Sequence, residues 1–246
     1  MYQRFGEAKS EGKTEGKRNR ISGKNEEYGG SKMKYEAIRK QVLDAILEAV
    51  EKGLIKGTSG NIAMRADDEE VFAITPSGIP YKGMTAEDIA IVDFNGKWLE
   101  GNYKPSSEVP MHLAVLKARP DVKATVHTHA MYATILAMGE NPELKPITPP
   151  QCEFTPVGIV PFTMPGSNDV AKKVVEKLGK DGRAVLIKNH GMFCCGKNMK
   201  AAMAATEYVE EMAVTTLYAK LLGVYEPMPE EGVRKMKELI AADQAV

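Results

Sequence analysis

Cysteine is scarce in this chain, with three among 246 residues, at Cys152, Cys194 and Cys195. An odd number with two adjacent builds no disulfide framework, and so points to a reducing cytoplasm. Net charge is absent too, since 33 Lys and Arg balance 33 Asp and Glu. That balance argues against nucleic acid or a membrane surface as the main partner, because both select for excess positive charge. Long apolar runs are missing: none approaches the roughly 18 to 20 residues that cross a bilayer. The first 32 residues are rich in Lys, Arg, Glu, Gly and Ser and lack the apolar centre of a secretory signal. Such a segment buries too little apolar surface to offset its ordering entropy. The expectation is a disordered charged arm over 1–32, with Met33 as a candidate natural start, and one domain over 33–246. Glutamates interspersed through the arm argue against a role in binding nucleic acid.

From Tyr35 to Lys52, Ile38, Val42, Ala45, Ile46, Ala49 and Val50 recur at steps of three and four, which predicts an amphipathic helix capped by Gly53. NIAMR and VFAITPSG read as strands, the second running into a Pro-Ser-Gly turn. DIAIVDFNGKWLEG reads as a hairpin turning at Asn95-Gly96. KPSSEVPMHLAVLKARPDV reads as a loop entering a helix, with Ser107 as its cap and Glu108 and Pro110 in the first turn. KATVHTHA is then a strand and MYATILAMG a short helix closed by Gly139; residues 140–160 are proline-rich and read as mostly loop. SNDVAKKVVEKLGKDG is a helix capped by Ser167 or Asn168, RAVLIKNHG a strand ending in a polar turn, and AAMAATEYVEEMAVTTLYAKLLG the longest helix. Strands and helices alternate, but short turns join the early strands. This predicts one α/β domain with a central, mainly antiparallel mixed sheet and helices on both faces.

Histidine is also rare, with four in the chain, and two of them are His127 and His129. Residues two apart on a strand share a face, with Cα atoms about 6.6–7 Å apart. Two imidazoles so placed can converge on one metal ion, although an isolated H-x-H is more often a pair of solvent-facing strand residues. His190 also ends an apolar run, where a strand gives way to a turn. Three neutral imidazoles on rigid strand ends leave the open position that a catalytic zinc requires. His112 falls inside the helix after Pro110 and reads as a core residue or a support for the site. A structural zinc normally has a fourth ligand, often cysteine; Cys194 and Cys195 fall on the strand after the turn and are expected to face the core. Three small-residue turns have backbone amides able to reach a phosphate: T-S-G-N at 58–61, T-P-S-G at 75–78 and P-S-S-E at 105–108. The third carries Glu108, a carboxylate suited to act as a base beside the metal.

In that order, G-x-x-x-G-T-S-G-N, T-P-S-G, S-S-E, H-T-H and N-H-G resemble the class II aldolase and adducin head domain family, over about residues 34 to 223. The resemblance implies an antiparallel sheet flanked by helices, in a homotetramer with sites at subunit interfaces. It assigns His127, His129 and His190 to one Zn2+ per subunit, replaceable by Mn2+ or Co2+. Glu108 becomes the acid/base and an added ligand in the substrate-free state. Gly60, Asn61, Ser77, Gly78, Ser106 and Ser107 surround the substrate phosphate.

The implied reaction cleaves a ketose 1-phosphate, of L-fuculose 1-phosphate or 5-deoxypentulose 1-phosphate type, to dihydroxyacetone phosphate and an aldehyde. It runs through an enediolate whose charge the metal stabilises. A desolvated setting is expected to raise the Glu108 pKa. Glutamate at 108 favours an aldolase over an L-ribulose-5-phosphate 4-epimerase, which carries aspartate there. A methylthioribulose-1-phosphate dehydratase is the first alternative, and a non-catalytic adducin-like module, which lacks the metal histidines, is the last. There are two departures from the family's aldolases. Phe162 stands where they carry a proton-donating tyrosine, and the segment after Tyr225 lacks the tyrosine their tails lend to a neighbouring site.

Overall fold

Residues 33–139 and 144–243 are described by the computed structural model; the arm expected over 1–32 lies outside them. Helix α1, Glu36–Glu51, turns Val42, Ala45, Ile46 and Ala49 inward. Gly53 follows its cap residue Lys52 at φ 72°, the left-handed reversal glycine tolerates best. Four strands succeed it: β1 Asn61–Arg65, β2 Val71–Ile74, β3 Ala90–Asp93 and β4 Trp98–Glu100. Then come α2 Val109–Ala118, β5 Ala124–Thr128, α3 Met131–Ala137, β6 Gly158–Val160, α4 Asn168–Leu178, β7 Ala184–Ile187, β8 Gly191–Gly196, α5 Met199–Leu221 and α6 Glu230–Asp243.

The eight strands form one sheet in the order β4-β3-β2-β1-β5-β8-β7-β6. Every neighbouring pair is antiparallel except β6 with β7. The predicted mixed, mainly antiparallel sheet is therefore observed. Strand alternation sorts the core into two layers. On β5, Ala124 and Val126 join Val42 and Ile46 of α1 and Met203 and Val209 of α5. On the opposite face, Phe193 of β8 packs with Met111 and Val115 of α2 and Val170 and Val174 of α4. Burying each such side chain contributes about 1.5–3 kcal/mol.

Two local expectations change. Helix α2 has Glu108, not Ser107, at its cap position, because the Ser106 hydroxyl accepts the Glu108 amide at 3.2 Å and makes a turn before the helix. The stretch read as loop contains β6, a three-residue edge strand; its parallel partner β7 is distant in sequence, so no local pattern announces it. Helix α3 ends at Ala137, and Gly139 follows its cap residue Met138 as Gly53 follows Lys52, its amide donating to the Leu136 carbonyl at 3.2 Å. The segment after Tyr225 is mostly α6; Lys237 of that helix donates to the Thr155 carbonyl at 2.5 Å.

Candidate metal centre and anion site

Register places the first histidine. His127 on β5 lies opposite Asn61 of β1 and Phe193 of β8, at one end of the central strands. His129 comes just past the end of β5. His190 sits in the turn between β7 and β8, where Asn189 takes φ 55°, a left-handed conformation that asparagine accepts more readily than most residues. Gly191 then starts β8 so close to β5 that a Cβ would overlap the Thr128 carbonyl and meet the His129 ring at 3.1 Å. Glycine alone allows that approach. Ring centroids consequently stand 5.0 Å apart for His127 and His129, 4.7 Å for His127 and His190, and 5.1 Å for His129 and His190. One nitrogen from each lies within 4.8 Å of the others, and no cysteine belongs to this cluster.

The donor chemistry fits a cation. His127 Nδ1 is 2.9 Å from the Met192 carbonyl, which only accepts, so the proton of the neutral ring is on Nδ1. The lone pair on His127 Nε2 then faces Glu108 Oε2 at 3.0 Å and His129 Nε2 at 3.1 Å. His190 Nε2 approaches Glu108 Oε1, which is buried without a hydrogen-bond donor, to 3.3 Å. Acceptors crowded this way repel one another unless positive charge lies between them. A divalent cation held by the three imidazoles would supply it, and the Met192 carbonyl orients His127 from behind. Desolvation pushes His129 down to about 4, with His127 and His190 adding to the effect, so the ring is in the neutral, ligating form.

Glu108 is 6 % exposed. Burial raises its carboxyl, but positive charge on the His127 and His190 side, together with the Asn61 amide, outweighs that and holds it well below the usual carboxylate range. The expected upward shift is thus reversed, because the carboxylate is surrounded by cation-binding groups instead of apolar surface.

Asn61 turns its side chain inward: Nδ2 donates to Glu108 Oε2 at 2.9 Å, and Oδ1 lies 2.6 Å from His112 Nε2. His112 is fully buried, with Nδ1 2.6 Å from Thr125 Oγ1, and burial above all pushes its pKa down to about 3. It supports the site without joining the metal cluster. Sequence reasoning missed Thr125 and also Tyr81, whose hydroxyl donates to the Gly60 carbonyl at 2.6 Å. Neither belongs to a motif that signals its role.

The three small-residue turns come together. Gly60 enters β1 at φ 82°. The Ser77 amide donates to the Lys104 carbonyl at 2.9 Å, and the Ser106 amide to the Thr75 carbonyl at 3.1 Å, with a bridge between Pro76 and Pro105. These contacts set the second and third turns side by side. Gly60, Asn61 and Ser106 are buried there, whereas Ser77, Gly78 and Ser107 are exposed. Gly166, in the loop before α4, backs Ser107: a Cβ there would meet its carbonyl at 2.9 Å. Phe162 is 54 % exposed. Cys194 and Cys195 are buried, one in each core layer, with thiols pushed up by burial to about 12 and about 11.

Fold and site together define the class. The Class II Aldolase and Adducin N-terminal domain family matches residues 40–217, and the chain belongs to it, on its enzyme side. It is 33 % identical over 202 residues to L-fuculose phosphate aldolase of Escherichia coli O6:H1, covering 80 % of this chain and 89 % of the relative. It is 34 % identical over 200 residues to 5-deoxy-D-ribulose 1-phosphate aldolase of Bacillus thuringiensis serovar kurstaki, covering 80 % and 92 %. A solved L-fuculose 1-phosphate aldolase matches with a TM-score of 0.79 at 31 % identity, over 86 % of this chain and all of that one.

Proposed function

We propose that the protein is a zinc-dependent aldolase cleaving a ketose 1-phosphate, of L-fuculose 1-phosphate or 5-deoxypentulose 1-phosphate type, to dihydroxyacetone phosphate and an aldehyde. The convergence of His127, His129 and His190 on one point, with Glu108 against them, carries this reading. Three imidazoles with an open position suit zinc, with manganese or cobalt as working substitutes. The bound cation supplies positive charge beside the oxygens that become negative when the carbon–carbon bond breaks.

Glu108 moves the proton on the dihydroxyacetone phosphate carbon. Its ionised form is the proton acceptor, and parting from the histidines makes it a stronger base. Gly60, Asn61, Ser77, Gly78, Ser106 and Ser107 hold the phosphate, with Asn61 also bound to Glu108. Binding there, away from the reacting bond, orients the substrate.

We place the site at subunit interfaces of a homotetramer. Met131, Met138, Tyr218, Leu221, Leu222 and Val224 are exposed, and Met131 lies two residues past His129. Apolar surface of that kind supports burial against another subunit. Three free, buried cysteines agree with a cytoplasmic location, and no described helix is long and apolar enough to cross a membrane.

Metal analysis after reconstitution tests the centre: about one equivalent per chain is expected, and a trace amount ends the reading. Incubation with a panel of ketose 1-phosphates, with dihydroxyacetone phosphate consumed by a coupled NADH assay, tests the reaction. Loss of water or epimerisation without NADH consumption points to the dehydratase or epimerase instead. Glu108→Gln is expected to keep metal and lower turnover about 100-fold or more, and an unchanged rate removes Glu108 from its role.

A further inference from the structure

We propose that His112 is a positioning residue for the reaction: through Asn61 it sets the direction in which the Glu108 carboxylate points. This rests on the reading of Glu108 as acid/base and adds a residue that touches neither metal nor substrate.

Hydrogen-bond polarity carries the argument. The Glu108 carboxylate only accepts, so the Asn61 group 2.9 Å from Oε2 is its NH2. Asn61 Oδ1 must then face His112, and His112 Nε2, 2.6 Å away, carries the proton and donates. In the neutral ring Nδ1 is left as an acceptor for the Thr125 hydroxyl at 2.6 Å. The chain runs one way, from Thr125 to His112 to Asn61 to Glu108. Flipping the Asn61 amide turns its carbonyl on the carboxylate and its NH2 on a donor, so a flip breaks two bonds at once. Thr125 and His112 are wholly buried and Asn61 is 5 % exposed, which leaves no solvent to substitute for a lost partner. The low His112 pKa keeps the ring neutral through the neutral range, and its two hydrogen-bond partners select the tautomer. The Asn61 backbone is pinned by pairing with His127, so its side-chain torsions are the freedom that remains, and His112 removes it. His112 ties β5, α2 and β1 to a single carboxylate oxygen.

The test uses metal-loaded, full-length protein with His112→Leu and His112→Gln, the glutamine keeping an N–H toward Asn61. Leucine is expected to lower kcat about tenfold or more while metal content changes less than about twofold, because the three imidazoles are left in place. Glutamine is expected to restore most of kcat. Equal kcat in wild type and the leucine variant overturns the proposal, and so does equal impairment of both variants. Long-range proton–nitrogen NMR of the wild type supplies a readout that needs neither turnover nor a stable variant. The Nε2–H tautomer of His112 is expected, and the Nδ1–H tautomer overturns the proposal by reversing Asn61. If the wild type turns over no ketose phosphate, the aldolase reading fails, and the NMR result still decides the direction of the chain.

Discussion

Gly60 presses against His127: a Cβ on Gly60 would come within 2.8 Å of the His127 carbonyl oxygen and 3.0 Å of the Ile55 side chain. The turn proposed for phosphate thus lies directly on the strand that carries His127, the first of the three proposed metal ligands. Its φ of 82° penalises any side chain as well.

Gly60→Ala is therefore expected to destabilise the protein by about 1–3 kcal/mol. Metal affinity should fall with it, because relief of the clash displaces β5 at His127. Urea titration and metal analysis of the variant check both effects. An unchanged midpoint with full metal content contradicts the coupling.

Glu210 of α5 holds the segment behind His129, since its carboxylate accepts the Tyr132 amide at 3.0 Å and the Ala133 amide at 2.8 Å in the first turn of α3. Charge-assisted capping of this kind makes Glu210→Ala cost about 1–2 kcal/mol. The residual flexibility should show as weaker metal binding, measured by competition with a chelator. Glu210→Gln, which keeps an acceptor, should lie between the two.

Asp121 pairs with Arg119, 2.7 Å away, whose side chain is 7 % exposed and also donates to the Gly179 and Gly182 carbonyls. The Arg119 hydrogen bond holds Asp121 below the usual carboxylate range. A depressed folded pKa means the folded state binds fewer protons on acidification. The pair's contribution is therefore complete above the unfolded value of about 3.9 and disappears as pH falls through the folded one. Because Asp121 is half exposed, Asp121→Asn should cost only about 0.5–1 kcal/mol at neutral pH. Denaturation curves of the two proteins should converge below about pH 3.9.

Cys152, Cys194 and Cys195 are all free and buried, and burial raises each thiol. No thiol of the native protein should react with an aromatic disulfide reagent at pH 8, and all three should react in denaturant. Rapid reaction of Cys194 or Cys195 in the native state would contradict their placement in the core.

Helices α1 and α4 were legible from apolar residues at helical steps, α5 from its length and Ala and Met content, and strands β1 to β5, β7 and β8 as short apolar runs bounded by turn residues, all of them local signals. Ser167 was a readable cap for the same reason: its hydroxyl accepts the Val170 amide three residues on. Strand β6 was not legible, since its three residues owe their conformation to β7 across the sheet. The histidines at 127, 129 and 190 were legible as chemistry because so few exist, and each ends an apolar run.

By itself, the sequence determined the alternation of elements, the two-faced sheet and the residue types able to bind a cation and an anion. All of these follow from patterns within a few positions. Only the tertiary structure decided that Asn61 serves Glu108, that His112 stands behind Asn61, and that the Glu108 carboxyl is lowered and not raised. Hydrogen-bond polarity and charge act over a few ångströms between groups far apart along the chain, and separation in sequence carries no record of those distances.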